Sequence, residues 1–322
     1  MKRFIIVLFA ILTINFLLPR LMPGDPFLTL SAEDGFTSVQ YSEQEVQDLK
    51  EYYGLDKPIA TQFIEYYANV LKGDFGRSIF YNESVNKILL RKLPWTIFIV
   101  LSSLLIGCIV GLSLGILSMI NRNKNFDKVF YTLIITVSEI PSFLIGIAFL
   151  FIFAANLGWF PLSGGVSAFT EPSFSLSYIE DILSHAFLPI MTMSIPSIGQ
   201  FYILSRSSMI TIISKDYMTT GKAKGLSKKR LNIYYILKNS LSPIISRVFL
   251  NIGHLFAASI LVENVFAYPG IGTLMKESVL KRDYPLIQAI FLIIALLVLL
   301  MNYLAEHINR KIDPRGRDDE KI

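Results

Sequence analysis

Hydrophobic residues in this chain run in long blocks; they neither alternate in twos nor mark one face of a soluble helix. A bilayer core is about 30 Å thick, so a spanning helix needs roughly 20 mostly apolar residues. Six blocks qualify: Phe4 to Met22, Pro94 to Ile120, Val129 to Ala155, Ala186 to Ile213, Pro243 to Ala267 and Tyr284 to Ala305. Lipid offers the backbone no hydrogen-bond partner, so each block must be helical. The pattern predicts an all-α, polytopic membrane protein with six transmembrane helices.

The first block follows Lys2 and Arg3, as a secretory signal would. It lacks a small-x-small cleavage site, and Pro19 and Arg20 stand where one is expected, so it reads as a retained anchor. The second carries no charge. Its Gly107, Gly111 and Gly115 recur every four residues on one face, which allows a second helix to approach backbone to backbone; scattered glycines are the alternative. The third holds Glu139 and Pro141 at an expected kink, and the fourth is expected to start around His185 and Pro189.

The polar stretches between blocks set the domain organisation: 1–22 an anchor helix, 23–93 a long outer segment, 94–306 a five-helix core that includes a polar loop at 214–242, and 307–322 a tail. Within the outer segment "SEQEVQDLKEYYGL" reads as a short helix, capped by Ser42 with Glu45 reaching back and stopped by Gly54. "ATQFIEYYANVLKGDFG" reads as a second, stopped by Gly73. These predict a small folded cap; a plain spacer is the alternative.

Composition agrees with a membrane class: 52% of residues are hydrophobic and 17% charged, and the mean hydropathy is +0.51. Lys and Arg then give orientation. The 121–128 connection holds three basic residues and 215–238 holds seven, whereas 156–184 holds none. Both termini and the two basic connections are therefore expected in the cytoplasm. The outer segment carries eleven acids and seven basic residues, and its length lets it cross regardless of charge.

Enzyme chemistry finds little support. The chain has no phosphate-loop, zinc-helix or nucleophile-elbow motif; its histidines, His185, His254 and His307, are far apart; and Cys108 is its only cysteine. No metal site is expected, and any energy for work must come from another subunit. Glu139, Arg206 and Glu263 are ionisable groups in or near the helices, and such groups are costly unless they face a bundle interior or water. They are candidates for pore lining or gating, or for interhelix hydrogen bonds and snorkelling ends.

One stretch resists the oily pattern: "KDYMTTGKAKGLSKKRLNIYYILKNSLSP", residues 215–243. Gly225 between two short helical pieces permits the positive φ of a sharp turn. After it Leu231, Tyr234 and Tyr235 recur at helical spacing beside basic ends, giving more apolar surface than water favours. Such an elbow suits a groove on another protein or the surface of anionic lipid.

The same stretch resembles the cytoplasmic signature loop of the permease subunits of binding-protein-dependent ABC importers, in the dipeptide, oligopeptide and nickel family. The matching residues are Asp216, Tyr217, Thr220, Ala223, Lys224, Gly225, Leu226, Ser227, Asn239, Leu241 and Pro243. Gly221, Lys222 and Lys238 depart from a usual alanine and two arginines, and Gly221 should loosen the helix by about 1 kcal/mol relative to alanine. Further blocks are similar to the B-type permease in the same order: "RLMPGDP", "YGLDKPIATQFIEYY", "GDFGRSI", "FPLSGG", "SHAFLPIMTMS", "LVENVFAYPGIGTL", "RDYPLIQA" and "DPRGR".

The resemblance implies a type I ABC importer permease architecture. It implies a second permease chain, two ATP-binding subunits that take the elbow in a groove, and an extracytoplasmic substrate-binding protein, with no nucleic acid. ATP and magnesium would sit on the partner subunits, and this chain would bind no cofactor. Oligopeptides or dipeptides are the expected cargo, with nickel or a metal chelate as the alternative. A channel would not need the elbow, and a membrane-embedded enzyme would need paired catalytic groups that the motifs do not supply.

Overall fold

The computed structural model describes residues 2–21, 43–122, 124–227 and 230–312. Eleven α-helices are described: α1 (Lys2–Arg20), α2 (Glu43–Tyr52), α3 (Ile59–Leu71), α4 (Val85–Asn121), α5 (Asn125–Ser138), α6 (Ser142–Phe149), α7 (Leu176–Ile213), α8 (Asp216–Ala223), α9 (Lys238–Val265), α10 (Ile271–Leu280) and α11 (Tyr284–Ile312). Wider π-helical turns extend α6 through Leu150–Asn156 and lead into α9 through Leu231–Leu237. The only β pairing among the described residues is a single bridge between Arg77 and Ser84.

Among the described residues four helical runs are long and apolar enough to cross a bilayer: Val85–Asn121, Leu176–Ile213, Tyr234–Val265 and Tyr284–Asn309. A fifth exists if α5 and α6 count as one span. They are not the single kinked helix expected from Val129 to Ala155, because the chain turns by 90° between them. Pro141 is the cause: it takes an extended conformation (φ −54°, ψ 132°) as the residue before α6. In α1 the apolar stretch, Ile6–Leu17, is shorter than the other spans.

Several boundaries also move. Helix α4 begins nine residues before Pro94, α7 begins ten before Ala186, and α9 begins before Pro243, so Pro94, His185, Pro189 and Pro243 lie inside helices and do not start them. The expected cap at Ser42 lies outside the described residues. Gly54 (φ +64°) and Gly73 (φ +72°) close α2 and α3 in the left-handed region that glycine adopts without strain.

Two compact units result, each built from two stretches of chain: Met1–Pro94 with Pro269–Leu296, and Trp95–Tyr268 with Leu297–Ile322. In the first, the opening turns of α4 supply Val85, Ile88 and Leu89, which pack with Ile271 and Leu274 of α10 and Leu286, Ala289 and Ile290 of α11. Asp283 ties the connection: it accepts from Ser78 Oγ, from Phe80 N (3.1 Å), and from Leu286 N (3.2 Å) at the start of α11. Helix α3 lies on α1, with Phe16 buried against Phe63 and Tyr66. Asn15 donates to Tyr66 Oη (3.0 Å) and to the Gln288 carbonyl (2.7 Å).

In the second unit α4 meets α7 along the glycine face. A Cβ on Gly111 would lie 2.6 Å from the Ile198 carbonyl oxygen, and one on Gly115 would lie 2.7 Å from Ser205 Cβ. One on Gly107 would collide with the Ser197 side chain. No larger residue fits while the backbones stay this close.

Candidate functional site

The described residues of the polar stretch 215–243 fold as an elbow in the second unit. Its first arm is α8, eight residues long. Gly225 (φ +73°) ends it in a Schellman turn: Gly225 N donates to the Lys222 carbonyl (2.9 Å) and Leu226 N to that of Gly221 (3.3 Å). Ser227 starts the return arm, its hydroxyl accepting from Arg230 N at 3.4 Å and its carbonyl from Leu231 N at 3.0 Å.

The elbow has two faces. Met218, Leu231 and Ile236 are buried against Met119 of α4 and Met209 and Ile212 of α7, with Leu226 partly buried beside them. The other face is open: Asp216, Tyr217, Thr220, Ala223, Lys224, Gly225 and Ser227 are exposed, and so is Tyr234. This corrects the expected apolar stripe. Leu231 is turned inward and only 5% exposed, Tyr235 is half-buried, and Tyr234 alone points outward at 63%. The excess apolar surface in the sequence is thus mostly covered by the chain itself.

Gly221 is buried in that inner face, where an added Cβ would approach Leu231 Cδ2 to 2.8 Å. The obstacle is the end of a flexible side chain, so alanine is close to fitting and glycine leaves slack. Further along, Asn239 is exposed and its Nδ2 donates to the Tyr235 carbonyl (2.7 Å). Pro243, inside α9, has no N–H to offer the Asn239 carbonyl a turn earlier.

The three ionisable candidates are not brought together. Arg206, on α7, donates from Nη2 to Asp127 Oδ2 (2.9 Å) and from Nε to Ser118 Oγ (2.8 Å), and its guanidinium lies 4.7 Å from the Tyr131 ring centroid. Ser118 also donates to Asp127 and accepts from Tyr202 Oη at 2.9 Å. This clamp joins α4, α5 and α7, and the Asp127 side chain is only 1% exposed. Sequence reading counted Asp127 as part of a basic loop and missed it; a lone acid nine residues after a helix serine carries no motif. Glu263 is fully buried on α9 and accepts from Thr96 Oγ1 at 2.7 Å. Trp95 packs edge-on against Tyr268 at 5.6 Å nearby in sequence. Glu139 is exposed at the end of α5, beside the 90° turn.

Among the described residues no group of three His, Cys, Asp or Glu side chains is arranged to hold a metal ion. In the second unit the helices carry a polar elbow that is anchored on one face and open on the other.

Comparison with known proteins agrees. Residues 95–318 match the family described as "Binding-protein-dependent transport system inner membrane component". The chain is 32% identical to the probable peptide ABC transporter permease protein y4tP of Sinorhizobium fredii, covering 94% of this chain and 92% of that protein. It is 30% identical to the di/tripeptide transport system permease protein DppB of Pseudomonas aeruginosa, and 31% identical to the glutathione transport system permease protein GsiC of Salmonella choleraesuis. Each covers 96% of this chain and 94% of the relative. A solved structure of the MetNI methionine ABC transporter has the same fold, with a TM-score of 0.56 at 14% identity over 70% of this chain and 96% of that one.

Proposed function

The chain belongs to the family of binding-protein-dependent transport system inner membrane components, the multi-pass permease subunits of ABC importers, and we propose that this one imports short peptides. The relatives named above are permeases for peptides, di- and tripeptides and glutathione, which favours peptide over nickel or a metal chelate. The family implies an ATPase that hydrolyses ATP on separate subunits and a substrate-binding protein that delivers cargo. Our reading adds a second permease chain completing the pore, both termini in the cytoplasm, residues 23–93 as an extracytoplasmic cap on a core spanning 94–306, and ATP with magnesium held only by the partners.

The observation that carries the mechanism is the two-faced elbow. Its inner face is packed into α4 and α7, so force applied to Tyr217, Thr220, Ala223, Lys224 or Gly225 passes to the ends of two spanning helices. Packed interfaces switch between discrete arrangements and do not deform smoothly. Closure of ATPases that hold two such elbows would therefore move helix bundles as rigid bodies, which is alternating access.

The test uses the tagged chain purified with its partners in mild detergent. Wild type should bring down ATP-binding subunits and a second permease. Ala223→Glu, on the open face, should lose the ATPases while keeping the second permease and the same thermal stability. Retention of the ATPases by Ala223→Glu would refute this assignment of the elbow. Cells carrying the importer should accumulate labelled tri-alanine, and deletion of the chain should abolish that uptake.

A further inference from the structure

Four of the sequence blocks singled out above have no part in the elbow, and they meet in the first unit. "YGLDKPIATQFIEYY", "GDFGRSI", "RDYPLIQA" and the Arg20 that opens "RLMPGDP" together wall one cavity of about 410 Å³. That volume lies in the range of small-ligand sites.

The lining has an unusual charge pattern. Three cations, Arg20, Lys57 and Arg77, face three acids, Glu51, Glu65 and Asp74. Among the described residues only Lys57 and Glu65 are paired, at 2.8 Å. Arg20 gives three of its five N–H groups to neutral acceptors, Nε and Nη2 to Gln62 Oε1 (3.2 and 2.6 Å) and Nη1 to the Phe16 carbonyl (2.7 Å), keeps one on each terminal nitrogen, and stacks on the Phe16 ring. Arg77 donates to the Asn82 carbonyl at 2.7 Å. Neither arginine has a carboxylate within ion-pair distance among the described residues, and Glu51 has no cation within it. An arginine fork without a carboxylate is suited to a planar anion.

The neutral lining is aromatic and amide-rich: Tyr52, Tyr53, Phe75, Asn69 and Gln288. Tyr66 also lines it, and burial pushes its phenol up to about 12, so it stays a neutral hydrogen-bonding group. A balanced wall of this kind does not select a simple anion, which would want net positive charge. It matches a molecule bearing one carboxylate, one ammonium, amides between them and small apolar side chains.

We propose that this cavity is a binding site for a zwitterionic short peptide, with the carboxylate held by Arg20 and Arg77 and the ammonium by Glu51. The proposal rests on the peptide reading above, and it places a holding site on the permease itself, on the outer side in the orientation given there. Every lining residue belongs to the first compact unit.

The experiment uses the full importer complex in nanodiscs without its binding protein, titrated calorimetrically with tri-alanine, its C-terminal amide and its N-acetyl form. Wild type should bind tri-alanine and bind both blocked forms about tenfold more weakly, the scale of one charge-assisted contact. Arg77→Ala should weaken tri-alanine about tenfold and leave the amide unchanged; Glu51→Gln should do the same with respect to the N-acetyl form. Both residues are exposed, so these variants should fold, whereas Arg20 also holds α3 to α1. Equal binding of free and blocked peptides, or no binding, would overturn the site. So would native mass spectrometry showing a phosphatidylethanolamine that wild type retains and Arg77→Ala loses, without tripeptide binding. Uptake of tri-alanine by cells separates the two ideas: uptake without cavity binding leaves the peptide reading standing and sinks the site. Cavity binding without uptake does the reverse.

Discussion

Asp127 is the residue on which most depends for its size. Its carboxylate is out of water and is satisfied by Arg206 and Ser118. Removing one partner of such a pair strands the other charge, which costs about 3–5 kcal/mol, whereas removing both together costs less. Asp127→Ala should therefore lower the thermal unfolding midpoint in detergent sharply, and Asp127→Leu combined with Arg206→Met should recover part of the loss. If the double variant is as unstable as the sum of the singles, the clamp is not a pair. Arg206 was visible in the sequence because it interrupts an apolar block. Its partner was not, because an acid at the edge of a basic loop looks solvated until the fold brings it to α7. The same holds for Glu263, whose partner Thr96 is an ordinary residue 167 positions away.

At the scale of elements, close helix packing and the elbow make opposite demands on glycine. Gly111 faces the Ile198 carbonyl and Phe201 Cβ, both on rigid backbone. Gly111→Ala should part α4 from α7 and cost about 1–3 kcal/mol of stability. Gly221→Ala meets only the end of Leu231 and should hold the melting temperature or raise it, since alanine favours the helix. Gly225→Ala, forced to φ +73°, should cost about 1–2 kcal/mol although nothing crowds it. A single melting series orders the three, and equal effects would contradict the packing described. The four-residue spacing of Gly107, Gly111 and Gly115 was readable because it follows the helix period. The starts of α4, α7 and α9 were not. Prolines were taken as punctuation, yet Pro94, Pro189 and Pro243 sit inside long helices held by tertiary packing.

At the scale of the whole molecule, the apolar blocks were enough to predict a helical, multi-pass chain. They did not show the 90° turn at Pro141, because a proline within an apolar block is compatible with a kink as well as a break. Orientation is open to a direct test. With Cys108→Ser as background, Glu171→Cys in the loop before α7 should react with a membrane-impermeant thiol reagent in intact cells, and Lys222→Cys on the elbow should not. In inside-out vesicles the pattern should reverse. Labelling of Lys222→Cys from outside would overturn the topology.

The interleaving of the first unit has a consequence for how the protein is made. Val85, Ile88 and Leu89 leave the ribosome long before Ile271 and Leu286, which cover them. At synthesis rates of about 5–20 residues per second the wait is roughly ten to forty seconds. For that time the nascent chain presents a bare apolar face, and a ribosome that stalls before Ile271 leaves it bare for good. The core of the first unit is therefore closed only when α10 and α11 arrive.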